Sequence, residues 1–107
     1  MKDSEIVFEM HALDIAIEKR IPPNIVVTAR GTADRSASTA RLVLLAMSLD
    51  QQSYLYELRA IHGPQRVATQ VSATDIITDV VVEKVSITVR SQTRELRELI
   101  AVRYPRT

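Results

Sequence analysis

The 107-residue chain has no cysteine and no tryptophan, and it contains only two glycines, three tyrosines and one phenylalanine. Without cysteine, it can form no disulfide, thiolate metal site or thiol nucleophile. The two glycines, Gly31 and Gly63, are too few for a G-x-G-x-x-G or P-loop phosphate cradle. The few aromatic residues are not interleaved with basic ones, as they are in platforms that stack single-stranded bases.

Long apolar runs and targeting signals are also missing. The longest apolar run, Leu42–Met47, is far too short to cross a bilayer. The first residues, MKDSE, lack the basic and apolar regions of a secretory signal. We therefore predict a cytoplasmic protein with a single domain over residues 1–107 and no membrane partner.

Motifs for catalysis are equally scarce. Neither His11 nor His62 has the spacing of a metal-binding motif such as H-E-x-x-H, and no G-x-S-x-G is present. We interpret the acidic residues of the first segment as a solvent-exposed face of its predicted helix. We predict that the protein is not an enzyme, takes no cofactor or metal, and has no small-molecule substrate.

The basic residues are distributed unevenly. The formal net charge is only +1, but residues 21–48 carry three arginines against one aspartate. Arginine also far outnumbers lysine along the chain, which suits planar contacts to phosphate or carboxylate. The charge pattern therefore favours anion contacts on part of the surface.

The stretch Asn24–Leu42 (NIVVTARGTADRSASTARL) carries the strongest local signal. Its β-branched start predicts a strand, Ala29–Gly31 a turn, and the Ala/Ser/Thr-rich remainder a helix. Strand, glycine turn and helix aim backbone N–H groups at one point, which favours an anion. Arg30 and Arg35 would add charge there. The alternative is a plain strand-to-helix connection with incidental surface arginines.

The rest of the chain predicts a mixed α/β order. Ile6, Met10, Leu13 and Ile17 fit one face of a helix over Ser4–Arg20, which Pro22 and Pro23 would end. A competing reading makes Glu5–Met10 a strand followed by a short helix from His11. The further predicted elements are a strand over Ile25–Ala29, a helix from Gly31 to about Ser48, strands over Tyr54–Ile61 and Val80–Arg90, a long β-hairpin arm over about 62–79, and a helix over Thr93–Arg103.

Three segments resemble the Alba family of small nucleic-acid-binding proteins: IVVTARGTA at 25–33, Arg59–Val67, and VEKVSITVRSQ at 82–92. The resemblance implies an α/β two-layer sandwich, Alba-like, in the order α-β-α-β-β-α with a long arm. The strand that usually opens the family is missing or very short here. It also implies a homodimer that binds double-stranded DNA or RNA with basic residues of its body and arms.

The resemblance matches Arg30 and Gly31 to the family's glycine turn and places Arg66 on the arm. Together with the arginines that follow the turn, the predicted nucleic-acid-binding residues are Arg30, Gly31, Arg35, Arg41 and Arg66, with Arg59 and Arg90 on strand faces. We predict phosphate contacts with little sequence specificity and a possible nucleoid association. The dimer would bury Leu42, Leu45, Leu49 or the face of Tyr54 and Tyr56.

A second hypothesis uses the same scaffold differently. The near-neutral charge and the acidic first segment also fit a homodimeric protein-interaction module with weak or no nucleic-acid binding. The arginine-bearing turn and the long arm favour the first hypothesis.

Overall fold

The computed structural model describes residues 4–37, 39–61 and 68–102, and of residues 4, 34–37, 68 and 69 it describes the backbone alone. This part of the chain forms eight β-strands and no helix, so the predicted α/β sandwich is wrong. The eight strands are β1 (Ser4–Ile6), β2 (Glu9–Glu18), β3 (Asn24–Ala37), β4 (Thr39–Met47), β5 (Ser53–Ile61), β6 (Ala68–Ile77), β7 (Lys84–Arg90) and β8 (Glu95–Ala101).

The predicted first helix fails because a β-bulge imitates helical spacing. The register of β2 against β3 shifts between Met10 and Ala12, which inserts one extra residue, His11. Met10 and Leu13 therefore both face the core although they are three positions apart. Beyond the bulge, Leu13, Ile15 and Ile17 alternate as a strand requires. The competing reading also fails: Glu5–Met10 is divided between β1 and β2, and the segment from His11 continues as a strand instead of a helix.

The other two predicted helices are strands as well. Residues 31–48 contain the end of β3 and all of β4, and residues 93–103 contain β8. Leu96 and Ile100 of β8 pack against the core. Their spacing of four fits one turn of a helix, but it also fits alternate positions of a strand. Apolar spacing alone could not separate the two.

Three predicted strands are confirmed, and the projecting arm is not. Ile25–Ala29 lies within β3, Tyr54–Ile61 within β5, and the end of Val80–Arg90 forms β7. Of the predicted arm, residues 62–67 lie outside the described residues. Residues 68–77 form β6, which pairs with β3 and buries Val71, Ala73 and Ile77. This part of the arm belongs to the body of the fold.

The strands form two sheets. In the five-stranded sheet, β5 pairs with β4 along one edge, and with parallel β7 and antiparallel β1 along the other; β8 pairs with the outer edge of β7. The three-stranded sheet has the antiparallel order β2-β3-β6. The bend between β1 and β2 is held by distant backbone, since the N–H groups of Gln92 and Thr93 donate to the carbonyls of Val7 and Phe8 at 2.8 and 3.1 Å.

Side chains from both sheets form one hydrophobic core. Met10, Ile25 and Val27 are fully buried on the three-stranded sheet, as are Val85, Ile87 and Val89 on the five-stranded sheet. The buried Tyr56 of β5 crosses between the sheets and donates a hydrogen bond of 2.8 Å from its hydroxyl to Asp75 Oδ2 of β6. Burial, followed by this bond, raises the pKa of Tyr56 far above its ordinary value of 10.0.

Candidate anion-binding face

The predicted anion site at the glycine turn is not formed. β3 runs without interruption from Asn24 to Ala37, so no helix begins after Gly31. Gly31 instead lies opposite Met10 at the bulge of β2. A Cβ at this position would collide with the carbonyl oxygen of Glu9 and would lie 3.0 Å from Val7 Cγ1. Close packing of the two strands therefore requires a glycine at this position.

Arg30 also differs from its predicted role. It lies on the outward face of the three-stranded sheet, where its guanidinium forms a 3.2 Å ion pair with Asp14 Oδ2 of β2. Both side chains are more than half exposed, at 58% and 64%. The pair cancels the local charge at the position that the sequence marked as most favourable for an anion.

The structure describes the surroundings of only some of the predicted site residues. Arg30 and Arg41 lie on different sheets, on β3 and β4. Arg66 and the side chain of Arg35 lie outside the described residues. Of the two arginines predicted on strand faces, Arg59 is on β5 and Arg90 on β7, both in the same sheet as Arg41. Arg59 and Arg90, which were predicted only on strand faces, form a cluster with the predicted site residue Arg41.

The cluster is centred on Glu57 of β5, whose side chain is only 11% exposed. Its Oε1 accepts a 2.5 Å bond from Arg59, and its Oε2 lies 3.4 Å from Nε of Arg90. Arg90 is directly opposite Glu57 across the parallel β5–β7 ladder. One carboxylate therefore holds two guanidinium groups in place on the outward side of the sheet, a pre-organised cationic pair.

Arg41 completes this cluster from the other side. It pairs directly with Arg59 across β4 and β5, so the two side chains start about 5 Å apart on the same face. Arg41 is exposed, and no ion pair or hydrogen bond joins its side chain to another described residue. Like charges placed directly opposite destabilise a sheet unless a counter-charge is near. Glu57 supplies one for Arg59, but Arg41 has none in the described part.

A second cationic position lies near the opposite edge of the same face. Nε of Arg97 on β8 donates a 2.9 Å bond to Oγ of Ser86, which is itself buried on β7. Arg97 lines a shallow groove of about 400 Å³ together with Ala46, Leu55, Thr88 and other residues. The guanidinium is thus oriented at the side of a groove that opens onto the sheet surface.

We call this outward side of the five-stranded sheet the arginine face. Strand alternation gives it five basic and two acidic side chains, so its formal charge is three units positive, although the whole chain carries only +1. They are Arg41, Arg59, Lys84, Arg90, Arg97, Glu57 and Glu95. Arg97 and Lys84 were not predicted as site residues. Arg97 was assigned to a helix, whereas Lys84 lies on the same face of β7 as Arg90.

Other kinds of site find little support in the part of the chain that the structure describes. It holds no group of three or more histidine or carboxylate side chains arranged for a metal ion. Nor does it include a helix of the length and apolarity needed to span a membrane. These observations concern residues 4–37, 39–61 and 68–102 only.

Comparisons with family models, with curated proteins and with solved structures gave no match to this chain. The Alba resemblance thus rests on its short motifs alone, and the helices that it implies are strands in the structure.

Proposed function

We propose that the protein binds nucleic acid through backbone phosphates on the arginine face. The observation that carries the proposal is the position of Arg41, directly opposite Arg59 and without an acidic partner among the described residues. A bound phosphate would relieve the repulsion between the two guanidinium groups. Arginine is well suited to this contact because its planar donors match phosphate oxygens.

The spread of charge favours a polymer over a single phosphate group. β4 and β8 lie three strand spacings apart, about 14 Å. Arg41 and Arg97 cannot both contact one phosphate across that distance, whereas successive phosphates of a nucleic acid backbone can reach both. The groove beside Arg97 and the cluster around Glu57 would then contact different parts of one strand.

The same face offers little for reading bases. Among the strand residues that point outward from this sheet, none is aromatic, and Tyr54 and Tyr56 belong to the core. Phosphate contacts fix a protein on nucleic acid but carry no direct sequence information. We therefore expect weak sequence preference, and we keep the prediction that the protein is not an enzyme.

The test is a salt-titrated binding measurement with duplex DNA and duplex RNA, comparing Arg41→Ala with Arg30→Ala as a matched control. Both arginines are exposed strand residues, but only Arg41 lies on the arginine face. We expect Arg41→Ala to weaken binding on all sequences and to lower the log–log salt slope by about 0.9 for each lost phosphate contact. Arg30→Ala should leave the slope unchanged.

A second variant, Glu57→Gln, changes the charge in the opposite direction. It removes the acidic group between Arg59 and Arg90, so affinity for both nucleic acids should rise at low salt. Stability should fall by about 1–3 kcal/mol, because two charged hydrogen bonds are weakened; binding is therefore measured well below the melting temperature. No binding at low salt, or equal losses for Arg41→Ala and Arg30→Ala, would contradict the proposal.

Protein binding is the second candidate function. The observation in its favour is the apolar edge formed by β4, where Leu44, Leu45 and Met47 are 45%, 42% and 50% exposed. If neither duplex binds at low salt, this edge becomes the principal functional surface.

A further inference from the structure

We infer that β4 is a self-association strand, through which two copies of the chain pair edge to edge in antiparallel orientation. In the described structure β4 pairs only with β5, so its other edge presents unpaired backbone groups. Such an edge is a template for an additional strand. The pairing does not depend on the proposed nucleic-acid function.

β4 lacks the charges that normally protect a sheet edge. Only one of its nine residues, Arg41, is charged, and residues 42–47 (LVLLAM) contain no polar side chain. The other edge strands in the described part all carry acidic residues within their span: Glu5 on β1, Glu9, Asp14 and Glu18 on β2, Asp75 on β6, and Glu95 and Glu98 on β8. Charge of this kind discourages edge-to-edge pairing, and β4 alone is without it after Arg41.

The exposed side chains of β4 lie on both sides of the sheet. Leu44 pairs with the inward-facing Tyr56, whereas Ala46 pairs with the outward-facing Leu55. Leu45 is the extra residue of a bulge between them. A flat partner surface could cover only one side. An added strand covers side chains on both sides of the sheet, so strand pairing is the mode of association that fits β4.

The distribution of charge along β4 favours a second copy as the occupant. Arg41 lies near one end of the strand, and the other end is apolar. Antiparallel pairing sets the Arg41 end of one copy beside the Met47 end of the other, whereas parallel pairing would oppose the two arginines. Two-fold pairing also covers both edges at once and closes the assembly, as in most soluble homodimers.

This geometry has a consequence for the arginine face, and this one step rests on the proposed function. The two-fold axis of an antiparallel pair of identical strands is perpendicular to the sheet, so both copies present the same side. The two arginine faces would then form one surface with twice the positive charge. More phosphates could be contacted by the dimer than by a single copy.

The experiment is sedimentation velocity over a concentration series without nucleic acid, on the wild type, Leu45→Lys, Ala46→Lys and the control Leu99→Lys. Leu99 is an exposed leucine of similar size on β8, 69% exposed. We expect a wild-type dimer, a dissociation constant at least tenfold higher for each β4 variant, and no change for Leu99→Lys. Near-ultraviolet circular dichroism of the tyrosines checks that each variant is folded.

Hydrogen exchange provides a second readout that is specific to strand pairing. Amides of β4 should become more protected as the concentration rises, with no such change in β8. A wild type that stays monomeric, or a dimer that Leu99→Lys weakens as much as Leu45→Lys, overturns the inference. The Arg41→Ala protein should remain a dimer while losing affinity for nucleic acid, so the two proposals can fail separately.

Discussion

Tyr56 shows how one side chain can join the two sheets. Its ring is 1% exposed in the core, and its hydroxyl donates to Asp75 on the facing sheet. A buried hydroxyl without a partner would cost free energy, so the bond to Asp75 makes this burial tolerable. Burial and the nearby carboxylate both disfavour the ionised phenolate, and both raise the pKa of Tyr56.

This raised pKa predicts a loss of stability at alkaline pH. Below pH 10 the phenol is protonated in both the folded and the unfolded chain, and its contribution to stability is constant. Above pH 10 the unfolded chain ionises while folded Tyr56 stays protonated, so the free energy of unfolding should fall by up to about 1.4 kcal/mol per pH unit. Urea unfolding between pH 8 and 11 measures the slope.

Tyr56→Phe is the variant that tests this prediction. It should lower stability at pH 7 by about 1–2 kcal/mol and flatten the alkaline slope. Some slope should remain, because burial also raises the pKa of Tyr54. If the free energy of unfolding fell with pH as steeply in Tyr56→Phe as in the wild type, groups other than Tyr56 would cause the alkaline loss of stability.

Single residues of the candidate site were predictable only where strand alternation was clear. Arg59 and Arg90 lie in segments whose alternation is clean, and their placement on strand faces is confirmed. The ion pair of Arg30 was not predictable, because its partner Asp14 comes into reach only through the register of β2 on β3. No local pattern encodes that register.

At the scale of elements, the bulge in β2 determines how the first two strands of the small sheet fit. His11 is the extra residue, and its Nε2 lies within hydrogen-bonding distance of Thr32 Oγ1 on β3. The backbone of β2 comes close to β3 at this point, and Gly31 provides the space. The bulge and the glycine are therefore parts of one arrangement.

Gly31→Ala should destabilise the protein by about 1–3 kcal/mol, because its methyl group would meet the Glu9 carbonyl and Val7. Ser72→Ala, at an exposed position on the neighbouring strand β6, is the control and should stay within about 0.5 kcal/mol of the wild type. Urea denaturation of both variants measures the difference in free energy. A Gly31→Ala protein as stable as the wild type would mean that β2 can move away at little cost.

Whether a segment forms a helix or a strand was harder to predict than which of its residues are buried in the core. Ile25, Val27, Tyr56, Leu58, Val85, Ile87 and Val89 were recognisable as core candidates from β-branched runs or alternation, and all are buried. The first and last helices were predicted wrongly because spacings of three and four were taken for helical turns. A bulge in β2 and a spacing of four in β8 produce the same intervals in strands.

At the scale of the whole molecule, the two sheets depend on each other. The chain passes from one sheet to the other between β1 and β2, β3 and β4, β5 and β6, and β6 and β7. Their inward side chains belong to a single buried cluster. Neither sheet could keep its apolar face covered without the other.

We therefore predict cooperative, two-state unfolding of the described body. Far-ultraviolet circular dichroism follows the strands of both sheets, whereas fluorescence of the tyrosines reports mainly on Tyr54 and Tyr56 in β5. The two urea transitions should coincide in midpoint and slope. Separate transitions would show that one sheet survives the loss of the other.

The contacts between the Val7 bend and Gln92 also govern when the protein can fold in the cell. The side-chain amide of Gln92 donates to the carbonyl of Ile6 at 3.0 Å, across 86 positions of sequence. A ribosome releases the early segment long before it has made the residues that hold it. The bend therefore cannot form its contacts until Gln92 has been synthesised, and the apolar strands stay accessible to chaperones during that interval.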